Sequence, residues 1–211
     1  TCGTVCPTVA NQTPSCEGGT CKYACSKTEY TASCSPSSNQ TTCTNWGFEV
    51  SGSTDGWFLV PGSNGSNGAL SSSNRFASTG SRSLAIPYTN AGSNPDNGDR
   101  RYVDVAVKVC ANGGKINLSN KFVRWNFRMD PPAPSQGGYN YFSWWSEASP
   151  TSSGGGTFDF NPVTTAGWWS SSEYYTNPLG SSTGTAATIG FHFEVDGAWT
   201  GTIFLDDVEI Y

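Results

Sequence analysis

The residues of this chain best suited to chemistry are aromatic. Two doublets, Trp144-Trp145 and Trp168-Trp169, fall in strand-like sequence. Successive side chains of a strand point to opposite faces, so neither pair can place both rings in one core. One ring of each is expected to face out, and a broad exposed aromatic patch on a folded protein marks a binding surface. Flat rings with a polar edge suit the apolar faces of sugars. The only histidine, His192, stands two residues from Glu194, which puts both on one face of a strand. That pair admits acid–base chemistry, yet no Gly-x-Ser-x-Gly elbow accompanies it. Glycoside hydrolysis needs two facing carboxylates, for which Glu147 and Glu194 are the available pair. Tyr141 or His192 is the available base for a lyase. The pattern of residues demands neither reaction.

The elements that must position these groups read as short strands. They fall near residues 46–50, 57–60, 83–88, 102–109, 121–129, 139–146, 157–160, 167–175, 187–195 and 201–211. Polar, Gly-rich connections separate them and no segment carries a helical period, which predicts an all-β, two-sheet sandwich or a barrel. Parity then assigns faces. Phe142 and Glu147 set Trp144 inward and Trp145 outward. Glu173 sets Trp168 inward, with Trp169 and Tyr175 outward. Ile189, Phe191, Phe193 and Val195 point in; His192 and Glu194 point out. Val103, Val105 and Val107 share the face opposite Asp104, Lys108 and Cys110. Trp125, Phe127 and Met129 are core, while Arg124 and Arg128, with Glu173, make a solvated ion-pair face.

Composition agrees with that class. Only 13% of the 211 residues are charged, too few to wet the outer sides of long helices, and the aromatic share of 13% is too high for disorder. The net charge is −5 and no basic cluster exceeds Arg100-Arg101, which argues against a nucleic-acid partner. No apolar run reaches membrane-spanning length, so no membrane partner is expected. Seven of the eight cysteines lie within the first 43 residues, a stretch otherwise poor in material for a core. Cys-x₂-Cys pairs are absent and His192 is remote, so disulfides rather than zinc are expected. Because seven is odd, full pairing sends one of them to Cys110. The oxidising setting this requires implies secretion. Residues 1–43 are therefore read as a disulfide-stapled module, with turns marked by Pro7, Pro14 and Gly18-Gly19, and residues 44–211 as the sandwich.

Three segments carry a resemblance. They are Asn45-Trp46-Gly47-Phe48-Glu49 followed by Gly56-Trp57, then Thr79-Gly80-Ser81-Arg82-Ser83-Leu84-Ala85-Ile86, then Ile203-Phe204-Leu205-Asp206-Asp207-Val208-Glu209-Ile210. In order and separation they resemble the jelly-roll carbohydrate-binding modules appended to cellulases, xylanases and related enzymes, across residues 44–211. The resemblance implies neighbouring first and last strands that share a structural Ca²⁺, held by the Glu49 and Asp206 carboxylates and the Gly47 and Ser81 carbonyls. Asp206 has the parity of Phe204, Val208 and Ile210, an apolar face on which a carboxylate is costly unless it is paired or metal-bound.

If 83–88 opens the eight-strand pattern, the resemblance also implies a concave sheet made of 102–109, 187–195, 139–146 and 157–160. Its outer face would carry Tyr139, Tyr141, Trp145, His192, Glu194 and Asp104 as the ligand-binding set. The expectation is a secreted, non-catalytic module that binds a polysaccharide, foremost a plant cell-wall β-glycan, and belongs to a larger multidomain enzyme. The alternatives are a hydrolase or lyase on the same sandwich, or a cell-surface adhesion domain.

Overall fold

The computed structural model describes residues 12–17, 20–25, 44–91, 101–108, 116–117, 122–132, 141–147, 157–159, 167–170, 174–175, 185–186, 188–195 and 197–210. Every regular element among them is a strand: β1 Gln12–Glu17, β2 Thr20–Cys25, β3 Thr44–Trp46, β4 Phe58–Leu59, β5 Ser71–Ser73, β6 Ser83–Asn90, β7 Tyr102–Lys108, β8 Ile116–Asn117, β9 Phe122–Asp130, β10 Tyr141–Glu147, β11 Thr157–Asp159, β12 Trp169–Ser170, β13 Tyr174–Tyr175, β14 Thr185–Ala186, β15 Thr188–Glu194 and β16 Trp199–Ile210. Two antiparallel sheets dominate. One runs β11-β10-β15-β7-β4, and the other runs β12-β9-β16-β6-β5, with β13 also on β9 and β3 also on β16. The first unites the four strands expected to share a sheet. β1 and β2 pair antiparallel as a sheet of their own, with Glu17 opposite Thr20 and Cys16 opposite Cys21. Cys110 lies outside the described residues, and with it the expected tie to the N-terminal cysteines.

The core is what alternation on both sheets requires. Val103, Val105 and Val107 of β7 and Ile189, Phe191 and Phe193 of β15 meet Leu84, Ile86 and Tyr88 of β6, Trp125, Phe127 and Met129 of β9, and Ile203 and Leu205 of β16. Trp57 ties the layers together. It stacks on Phe191 at 5.7 Å and meets Trp46 edge-on at 5.8 Å. The buried Tyr88 hydroxyl donates to the Arg101 carbonyl and accepts the Val195 amide at 3.1 Å, so this polar group is satisfied inside the apolar layer.

Three expectations are corrected. First, the strand expected over 46–50 ends at Trp46, because Phe48 adopts a left-handed φ of 56°. A bulky residue rarely tolerates that region. Here its amide is fixed by the Asp55 carboxylate at 2.9 Å and its ring is fully buried beside Trp57. Second, 167–175 is two short strands rather than one. Trp169 pairs with Phe127 but Tyr174 pairs with Val123, a one-residue shift against β9. A shift of one residue exchanges the faces. The Trp169 position therefore lies on the face of the buried Phe127, not outward as parity along one strand requires.

Third, β16 slips by one residue against β9 between Asp206 and Glu209. Before the bulge Ile203 and Leu205 point into the core; after it Val208 does. Phe204 and Asp206 therefore sit on the outer face of the seven-stranded sheet, not on its core face. They are buried nonetheless, because the segment 74–82 folds over them. Phe76 meets Phe204 edge-on at 5.1 Å, and the Arg128 guanidinium lies 3.7 Å over the Phe76 ring. Arg75 pairs with Asp130. The face expected to be a solvated ion-pair surface is thus in part a second small core.

Candidate functional site

The outer face of the five-stranded sheet is ordered by its backbone register. Across β10, β15 and β7, Tyr141, Glu194 and Tyr102 form one row, and Ser143, His192 and Asp104 the next. Trp145, Gly190, Ala106 and Phe58 form a third, which continues onto β4. Aromatic positions thus stand at both ends of that third row, with the two smallest residues between them. Phe58 is 38% exposed, one of two large apolar side chains so exposed among the described residues. Ala106 and Gly190 are both buried, so the middle of the row is closed to solvent.

The middle row is electrostatic. His192 Nδ1 lies 2.8 Å from Asp104 Oδ1, and Nε2 faces Glu194 Oε2 at 3.6 Å, an ion-pair separation rather than a hydrogen bond. The imidazole stacks on the Tyr102 ring at 5.3 Å. Burial alone would depress its pKa, but the hydrogen bond and charge of Asp104, with the nearby charge of Glu194, raise it to about 9. The order Ser143–His192–Asp104 is that of an acyl-transfer triad. A ring already protonated near neutrality cannot take a serine proton, so this row is poorly set for that chemistry. The carboxylate pair is no better placed for hydrolysis. Glu147 pairs with Thr188, six residues along β15 from Glu194, or about 20 Å at the rise of a strand. Glycosidase pairs stand about 5–10 Å apart.

A second polar cluster lies where β3 and β6 share one edge of β16. β6 leaves that edge at Leu205 and β3 takes it up at Val208, so Asp206 and Asp207 have no strand beside them there. The Ser78–Ser81 turn fills the gap with backbone donors. Asp206 Oδ2 accepts the Ser78 and Thr79 amides at 2.8 and 3.3 Å, and Oδ1 accepts the Asp207 amide at 2.9 Å. Asp207, in the left-handed region at φ 48°, accepts from the Thr79 hydroxyl at 2.7 Å and the Asn126 amide at 3.1 Å. Glu49 Oε2 accepts both the amide and the hydroxyl of Ser81, at 2.8 and 2.9 Å. Burial and then the neighbouring Asp207 push the Asp206 carboxyl up to about 7, against the pull of its amide donors.

No protein-family model and no curated protein matches the sequence. Solved structures do. The CBM27-1 module of Caldicellulosiruptor saccharolyticus, in complex with mannohexaose, superposes with a TM-score of 0.57 at 17% identity over 81% of this chain and 97% of that one. A β-sandwich carbohydrate-binding module described as promiscuous in specificity gives 0.53 at 14% identity over 76% of this chain, which spans only 58% of its length. A CBM28 module specific for non-crystalline cellulose gives 0.50 at 17% identity over 74% of this chain and 88% of that one. The fold is that of the β-sandwich carbohydrate-binding modules.

On this sandwich the structure brings together Asp104, His192 and Glu194 by contact and Tyr141 and Trp145 by register; Tyr139 lies outside the described residues. Glu49, Ser81 and Asp206 converge on one turn, with Gly47 buried just after β3. The reading of the sequence missed Tyr102 and Phe58. The signal for Phe58 was present, since Trp57-Phe58 is an aromatic doublet in a strand: Trp57 is buried and Phe58 exposed.

Proposed function

We propose that this protein holds a polysaccharide on the outer face of its five-stranded sheet without cleaving it. One observation carries the reading: the aromatic positions Tyr141, Trp145 and Phe58 share a single sheet face with the polar row Asp104–His192–Glu194. Rings would stack on sugar faces while the polar row bonds hydroxyls. Neutral β-glycans of plant cell walls are the ligand class we infer, in keeping with mannohexaose and non-crystalline cellulose in the descriptions of two structures of the same fold. As part of a secreted multidomain enzyme, such a module would raise the effective concentration of catalyst at its substrate. Affinity electrophoresis through a panel of β-mannans, β-glucans and xylans, with an assay for released reducing ends, tests this. Retardation by at least one glycan with no sugar released is expected. Released sugar would make the protein an enzyme, and migration unchanged through every glycan would sink the reading.

We also infer that the turn Ser78–Ser81 is a structural Ca²⁺ site. Carboxylates of Glu49 and Asp206 with carbonyls of Gly47 and Ser81 are hard oxygen donors of the kind Ca²⁺ takes. A fully buried Asp206, whose ionisation is opposed by its surroundings, gives a divalent cation a charge to neutralise. Excess chelator is expected to lower Tm by about 5 °C or more, which for a domain of this size corresponds to roughly 2 kcal/mol. Asp206→Asn should abolish the response. A Tm indifferent to chelator and to added Ca²⁺ alike would remove the site.

A further inference from the structure

His192 is surrounded in a way that only one of its charge states satisfies. Asp104 stands on Nδ1 and Glu194 on the side of Nε2. A neutral imidazole carries one N–H and one lone pair. Whichever nitrogen held the lone pair, it would then confront a carboxylate. Only the imidazolium presents a donor to each, and its flat charge also suits the Tyr102 ring stacked beside it.

Among the described residues, Tyr102 and Asp104 on β7 and Glu194 on β15 itself face this ring, and the Ser143 and Tyr141 positions of β10 share its face by register; β4 contributes no charge. Without the ring's charge, Asp104 and Glu194 would be two carboxylates repelling each other across one face of adjacent strands.

We propose that His192 is a positioning residue of the glycan-binding face: as an imidazolium it clamps Asp104 and Glu194 in place as hydrogen-bond acceptors for sugar hydroxyls, and its deprotonation in alkaline solution releases the clamp and the ligand. The inference rests on the polysaccharide-binding reading above and adds a residue role and a pH dependence to it. The sign follows from the ring's raised pKa. The folded pKa is about 9 against 6.5 for an unperturbed histidine, so the clamp is intact below neutrality and is lost as pH rises through about 9.

Two measurements test it on the intact chain. Nitrogen-15 NMR of the His192 ring, in the absence of ligand, should show both nitrogens protonated at pH 7 and a single titration near pH 9. Binding of whichever panel glycan retards the protein should fall roughly tenfold or more over the same step, while the thermal melt stays a single transition. His192→Asn should fold, bind roughly tenfold more weakly at neutral pH, and lose the alkaline step. His192→Lys, which keeps a charge to higher pH, should recover part of the affinity and move the step upward. A ring that titrates near 6.5, or a His192→Asn variant with unchanged affinity and pH profile, overturns the proposal. If the ring titrates near 9 but no glycan binds at any pH, the clamp stands and the polysaccharide reading fails.

Discussion

Trp144→Ala is expected to cost about 3–5 kcal/mol of folding stability and to leave glycan binding intact below the lowered Tm. Trp145→Ala should do the reverse, abolishing retardation in affinity electrophoresis with Tm changed by no more than a few degrees. The register of β10 supplies the argument. Residues directly opposite in an antiparallel pair lie on the same face. Trp144 is opposite Phe191, a 2%-exposed member of the core, whereas Trp145 is opposite Gly190, in the row that ends at the exposed Phe58. Removing an indole from a core position leaves a cavity; removing one from a binding face leaves the fold and takes away the stacking surface. Loss of binding in a well-folded Trp144→Ala, with unfolding of Trp145→Ala, would show that the faces are exchanged. Phe58→Ala, at the far end of the same row, should weaken binding without abolishing it.

Gly80→Ala is expected to destabilise the chain by about 2 kcal/mol, more than a left-handed glycine with open space around it. Two effects add. Gly80 has a φ of +69°, and a left-handed conformation costs an L-residue about 1–2 kcal/mol. A Cβ there would also stand 1.8 Å from Glu49 Oε1. Glu49 would have to leave the Ser81 amide and hydroxyl, charge-assisted bonds each worth roughly 1.5–3 kcal/mol, less on this half-exposed surface. Gly52→Ala isolates the first effect, because Gly52 has a φ of +78° and nothing within 4 Å of the added carbon. Urea denaturation of both variants measures the difference. Equal losses would mean that Glu49 contributes nothing through its seat over Gly80. Should the turn also hold Ca²⁺, Gly80→Ala would blunt the response to chelator as well.

Where a strand runs without interruption, its faces were legible from alternation alone. β7, β9 and β15 place Val103, Val105, Val107, Trp125, Phe127, Met129, Ile189, Phe191 and Phe193 in the core as their spacing requires. The grouping of β7, β15, β10 and β11 into one sheet was legible as well, though through resemblance rather than spacing. What sequence could not show is a slip of register, because a bulge exists only relative to a partner strand. Both face errors, at Trp169 and at Asp206, fall just beside such a slip. Asp206 was rightly read as a buried carboxylate and wrongly seated, since its cover is the segment 74–82 and not the core. The strand at 57–60 was expected and β4 lies within it, but the outward face of Phe58 went unread: a strand of two residues has no period, and only the Trp57-Phe58 doublet hinted at its exposed ring.

The end-to-end seating of β3 and β6 on one edge of β16 has a mechanical consequence. Thr44 lies beside Ile210, with Asn45 beside Glu209 and Trp46 beside Val208, so the chain enters and leaves this sandwich at neighbouring points. Tension applied through those two points acts across the β3–β16 ladder rather than along it, and loads its rungs one after another. Three residue pairs then stand first in line, and immediately behind them comes the junction at which Glu49, Asp206 and Asp207 grip the Ser78–Ser81 turn. Under such a load Trp46, seated against Trp57, and the polar knot behind it are the parts of the molecule that must hold.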